Sequence, residues 1–227
     1  MRRGLFSSSL LVAALGATLL ATAAPTDVPQ VPALLRFLAI EYGVVHQVTT
    51  VRHLEARNAH LDTDAWMDVR TEADASGFRY TVLGEGGSRL VRNKAFRGTL
   101  EQEKRAWREE AATRSWFTSA NYTFADGGTA PDGLTRVTLT PRRKDLLLVN
   151  GSMFLNPVDG SLMRVEGSLA KSPSFWTRRI NVVRHYARVG GIQLPVAVES
   201  DAQIRLVGSS TFRMRYTYER VNGVRIE

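Results

Sequence analysis

The stretch Ile192 to Leu206, IQLPVAVESDAQIRL, alternates almost without a break. Ile192, Leu194, Val196, Val198, Ala202, Ile204 and Leu206 fall on one side, and Gln193, Glu199, Asp201, Gln203 and Arg205 on the other. A strand turns its side chains over at every second residue, so the pattern predicts a strand with one dry and one wet face. It is about twice as long as an ordinary strand of roughly 5–6 residues. Such a strand either curves around something or belongs to a barrel.

The same period runs through most of the chain. Strands are expected at 45–57, 64–73, 77–83, 87–92, 119–125, 134–140, 145–155, 161–170, 176–189, 192–206 and 209–220. Gly84 to Gly87 is expected to turn a hairpin, Asn156 to Gly160 another, and Gly190-Gly191 a third. Leu146 to Val149 is an uninterrupted apolar run, as in a strand buried on both faces. In the 209–220 strand, Phe212, Met214, Tyr216 and Tyr218 face one way and Arg213, Arg215, Thr217 and Glu219 the other.

Two segments break the period. Pro32 is placed to begin a helix through Tyr42, with Gly43 as its stop. Asn93 to Ala112 is rich in Glu, Lys, Arg and Ala, with Asn93 as the expected N-cap. Phe96, Leu100, Trp107 and Ala111 lie close to one face of that helix. Two helices among many short-looped strands predict a mainly β, α+β fold. The expected architecture is a curved antiparallel sheet forming an incomplete barrel, covered on its concave side by helices.

Arg2 and Arg3, the apolar stretch Leu10–Leu20 and the small residues Ala21-Thr22-Ala23 have the order of a signal peptide cleaved near Ala23. Residues 24–227 are then one domain of an exported, periplasmic protein. Removing the leader takes two arginines and no acid from a formal net charge of +8. The chain has no cysteine, which excludes a disulfide framework, a thiol nucleophile and a thiolate metal site. The basic residues are dispersed along strands, and no basic helix or stacking motif points to nucleic acid.

Catalytic signatures are weak. His46, His53 and His60 recur every seven residues. On a strand that spacing alternates faces, and on a helix it separates them by about 10 Å, so neither brings them to one metal. Ser168-Leu169-Ala170-Lys171 lacks the partner motifs that an S-x-x-K nucleophile needs. No enzyme activity and no cofactor is expected. The aromatic residues carry more information. Trp66, Phe78, Tyr80, Phe96, Trp107, Phe154, Phe212 and Tyr216, with Leu100, are expected on dry faces, as the lining or cover of an apolar cavity. Phe175 and Trp176 join the same set.

Leu146 to Gly223 contains Asn156-Pro157-Val158-Asp159-Gly160, Arg164-Val165-Glu166-Gly167 and Lys171-Ser172-Pro173-Ser174-Phe175-Trp176. Leu194-Pro195-Val196, Glu199-Ser200, Tyr216-Thr217-Tyr218-Glu219 and Val221-Asn222-Gly223 follow. This run resembles exported bacterial proteins related to outer-membrane lipoprotein-sorting proteins, the superfamily of periplasmic lipoprotein carriers. The resemblance implies a half-barrel whose cavity takes lipid or lipoprotein acyl chains, with transient contact with a membrane. The helix around Trp107 would be its movable cover. Two rival readings share the pattern: an envelope regulatory or assembly module that binds another protein, and a small outer-membrane barrel.

Overall fold

The computed structural model describes residues 28–40, 45–108, 116–171, 177–204 and 208–227. The expected leader Met1–Ala23, the expected end of the 93–112 helix, Phe175, Trp176 and Leu206 lie outside the described residues.

Eleven strands are described: β1 (Val48–Asn58), β2 (Thr63–Asp74), β3 (Gly77–Gly87), β4 (Tyr122–Thr129), β5 (Thr135–Pro141), β6 (Val149–Leu155), β7 (Leu162–Leu169), β8 (Thr177–Val189), β9 (Ile192–Ile204), β10 (Gly208–Val221) and β11 (Val224–Arg225). They form a single antiparallel sheet in the order β3-β2-β1-β10-β9-β8-β7-β6-β5-β4, with β11 folded back on β10. Two meanders, β1–β3 and β4–β10, are joined where β1 pairs with β10, from Val48 opposite Val221 to Asn58 opposite Ser210. The edge strands β3 and β4 do not pair, so the sheet is open. Phe78 near one edge and Tyr122 and Phe124 at the other nonetheless belong to one contiguous buried cluster. An open sheet that brings both edges to one core is curved.

Helix α1 (Pro32–Ala39) has Pro32 in its first turn and buries Ala33, Leu34 and Phe37. It lies against the β6–β7 turn. Gly160, at φ +75, passes so close to Arg36 and Ala33 that a Cβ there would collide with them. The Arg36 guanidinium donates to the Pro157 carbonyl at 3.0 Å across the same contact.

The second helical segment is continuous from Arg89 to Arg108: α2 (Arg89–Val91), a π-helical turn (Arg92–Arg97) and α3 (Gly98–Arg108). Its cap is Ser88, whose hydroxyl accepts from the Val91 amide, and not Asn93. The expected strand at 87–92 and the expected turn at Gly84–Gly87 are therefore both corrected. β3 runs on through the glycines, pairing as far as Gly87 opposite Ala65, and the helix begins directly behind it. A short glycine run looks like a turn, but antiparallel pairing satisfies its amides equally well. Residues 145–148 are irregular and not strand, although Leu147 and Leu148 are buried as expected.

The 192–206 alternation is interrupted. β9 carries one extra residue, Val196, opposite the His185–Tyr186 step of β8. A one-residue bulge reverses the side on which later residues fall. Val198 and Ala202 join the main core, while Ile192 and Leu194 pack in a smaller cluster with Val45 and Val221. The dry side is thus two patches and not one stripe.

Candidate functional site

The buried face of the sheet is where the described helices pack. Phe96 and Leu100 enter it from the roof segment, with the Phe96 ring 6.0 Å from Phe212. Ala106 reaches Leu147 on the far side. The roof is tied down by polar contacts. The π turn places Arg92 and Arg97 five residues apart on the same side, and both clamp Glu85 of β3, at 2.7 and 2.8 Å. The Tyr80 hydroxyl donates to the Glu101 carboxylate at 3.0 Å, and the Trp107 indole N–H donates to the Asp74 carbonyl at 3.1 Å.

Beneath the roof, a belt of polar side chains crosses an otherwise apolar floor. Parity puts Thr50 and Arg52 of β1 on the same side as Leu54, and Thr71 of β2 on the side of Met67 and Val69. Thr50 and Thr71 share a hydrogen bond at 2.6 Å between their hydroxyls. Arg52 forms a two-pronged ion pair with Glu103 of α3, and both residues are 4% exposed. Its guanidinium also lies over the Phe78 and Tyr216 rings, at 5.4 and 5.0 Å. Burial works against the Arg52 charge, but Glu103, by charge and hydrogen bonds, outweighs it and holds the guanidinium ionised.

The belt continues through β10 and β8. Tyr216 and Tyr218 stack with centroids 6.3 Å apart, and the Tyr218 hydroxyl donates to the Pro195 carbonyl at 2.6 Å. Arg184 lies on the buried side of β8 with Ile180 and Val182 and donates to the Tyr186 hydroxyl. Burial pushes the Tyr216 hydroxyl well above its usual range, with Arg52 pulling the other way. Burial raises Tyr186 and Tyr218 as well.

Of the residues expected in the cavity or its cover, Phe78, Phe96, Leu100, Phe212 and Tyr216 come together on this face. Tyr80 and Trp107 sit half-buried at its margin. Trp66 and Phe154 do not join them, which corrects their placement on the dry side. Trp66 alternates with the inward Ala65 and Met67, so it points outward and is 40% exposed. Its indole lies against Gly84 and Gly86 of β3. Phe154 is outward between Met153 and Leu155, and its burial comes from Arg164, whose guanidinium covers the ring at 4.2 Å. Arg52 and Arg184 escape a reading that counts charged strand residues as wet. Their parity with apolar neighbours is the signal that marks them.

The opposite face has a groove of about 600 Å³ lined by His53, Glu55, Asp64, Trp66, Asp68 and Arg213, among others. His53 is held between Asp68 at 2.6 Å and Glu55 at 3.0 Å. The bond to Asp68 raises its pKa most, burial opposes it, and the bond to Glu55 adds a smaller rise. His46 and His60 flank the two ends of β1, and among the described residues no group of side chains is arranged to hold a metal.

No protein-family model matches the chain, and no curated protein matches it. Solved structures similar to it include a DUF1329 family protein from Desulfovibrio piger. That structure is 7% identical, with a TM-score of 0.38 over 76% of this chain and 84% of its own. A LolA superfamily protein from Nitrosomonas europaea is 10% identical, with a TM-score of 0.38 over 82% and 90%. A putative outer membrane lipoprotein-sorting protein domain from Vibrio parahaemolyticus is 9% identical, with a TM-score of 0.36 over 78% and 86%.

Proposed function

We propose that this chain is an exported binding or carrier protein that holds a lipid, or the acyl chains of a lipoprotein, between the buried face of the sheet and the 89–108 roof. The observation that carries the reading is the way the roof is attached. A helical segment lies over an apolar, aromatic floor and is fastened by polar clasps at Glu85, Tyr80, Asp74 and Arg52. The partly exposed clasps at Glu85, Tyr80 and Asp74 exchange for water at little net cost, while an acyl chain entering below replaces apolar contacts one for one, at roughly 0.8 kcal/mol per methylene. The lipid class comes from the resemblance of Leu146–Gly223, and the periplasmic address from the leader ending near Ala23.

Mass spectrometry of organic extracts from the purified protein, against a denatured control, tests the reading. Stoichiometric phospholipid or acylated peptide supports it. A protein that is empty and also takes up no fluorescent fatty acid overturns it. The outer groove around Trp66 and His53 favours a second reading, a module that docks another envelope protein. A stoichiometric protein recovered by pull-down from periplasm, lost on Trp66→Ala and free of lipid, would establish that reading instead.

A further inference from the structure

Four charged residues are buried among the described ones: Arg52, Glu103, Asp145 and Arg184. Arg52 is paired with Glu103, and Asp145 with Arg143. Arg184 is 7% exposed, and among the described residues it makes no ion pair and its Nη2 has no hydrogen-bond partner. The Tyr216 hydroxyl, on the same buried face and 8% exposed, also has none. A guanidinium withdrawn from water without a counter-charge is strongly unfavourable, and an unpaired buried hydroxyl adds to the cost. Both unmet groups can donate a hydrogen bond. The belt as a whole holds two guanidiniums against one carboxylate, so what it lacks is an anion.

We propose that the buried face carries an anion site, in which Arg184 and Tyr216 take the negatively charged headgroup of an amphiphile whose acyl chain lies along the apolar part of the same face. The inference rests on the carrier reading and names its ligand class. A planar guanidinium fork fits a carboxylate or a phosphate, so the shared chemistry is a single anionic group at the end of an apolar chain. Ile180 and Val182 on the same strand, Val198 opposite Arg184 on β9 and Met214 beyond it on β10 supply the apolar environment. Arg52 is not available for the same task, because Glu103 already occupies both arms of its fork.

The test is displacement of the uncharged probe N-phenyl-1-naphthylamine from the full purified protein by three competitors that share one acyl chain. Oleate offers a carboxylate, oleoyl-lysophosphatidylglycerol a phosphate, and monoolein no charge. One or both anions should displace the probe at least tenfold more effectively than monoolein, and the stronger of the two identifies the headgroup. Arg184→Gln should erase that preference while leaving monoolein unchanged. Tyr216→Phe should weaken the anions roughly threefold to tenfold. In ligand-free protein, Arg184→Gln should melt no lower than wild type, because it removes a buried charge that has no counter-charge and leaves an amide that can still donate a hydrogen bond. A marked drop in melting temperature would assign Arg184 a structural role and overturn the proposal. Equal displacement by all three competitors, or a preference that survives Arg184→Gln, overturns the anion site and leaves the carrier reading standing. Failure of all three to displace the probe overturns both.

Discussion

Arg52 and Glu103 meet in a bidentate ion pair at 2.5 and 2.9 Å, although they are 51 residues apart and both are buried. The pair locks α3 to β1, the third strand in from the β3 edge and the one that pairs with β10. Glu103→Gln leaves a guanidinium buried beneath the roof with no opposite charge. It should cost about 3–5 kcal/mol by urea denaturation, whereas the double replacement Arg52→Met with Glu103→Leu should come close to wild type. A Glu103→Gln protein with an unchanged urea midpoint would show that the pair does not hold the roof.

The roof's apolar anchors should be as sensitive as any core residue. Phe96→Ala and Leu100→Ala remove fully buried side chains that meet the floor near Phe212. Losses of about 3–5 and 2–5 kcal/mol are expected. Trp66→Ala, on the other face, should cost clearly less than either. Equal losses for Trp66 and Phe96 in the same denaturation series would contradict the assignment of faces.

Gly151 and Gly167 lie directly opposite each other on β6 and β7. A Cβ on Gly151 would run into the Glu166 carbonyl and the Gly167 Cα, and backbone has nowhere to yield. Gly151→Ala should therefore destabilise at or above the upper end of the roughly 1–3 kcal/mol typical of overpacking. Thermal melting checks it, with Gly133→Ala as a contrast. No neighbour stands near Gly133, so any loss there comes from its positive φ alone.

His53 makes stability depend on pH. Its folded pKa is raised by Asp68, and further by Glu55, above an unfolded value of about 6.5. A raised pKa contributes stability that is complete below the unfolded value and lost as pH rises through the folded one. The stability gap between wild type and His53→Gln should be widest near pH 5, narrow above about 6.5, and close at higher pH. Urea titrations across that range check it, and a gap independent of pH would remove His53 from the account. His53 is more than a third exposed, so salt should reduce the effect.

Alternation made most of this sheet legible, because a half-buried strand writes its two faces into the sequence. Glycine and register were harder. Gly84 to Gly87 has the composition of a turn and the pairing of a strand, and only its partner β2 distinguishes the two. Val196 is an ordinary apolar residue whose status as a bulge depends on how β8 runs beside it. Hydrophobicity alone places the aromatic residues inward. Trp66 and Phe154 show the limit of that rule, since a glycine bed or an arginine lid can accommodate an aromatic side chain on the outside. The belt is hidden for the converse reason: Arg52 and Arg184 look like solvated residues until their parity with Leu54 and Val182 is counted.

The pairing of β1 with β10 has a consequence for the order of assembly. The first meander is complete once residue 87 has been made, and the strands from β4 to β9 once residue 204 has. The two halves share no ladder until residues 208–221 lie down between them. Closing that seam fixes contacts separated by most of the chain, the slow kind of step in folding. The growing polypeptide thus stays in two unjoined pieces, with its apolar floor divided, until residues 208–221 have emerged. A chain ending before Gly208 should behave as two loosely tethered, aggregation-prone fragments.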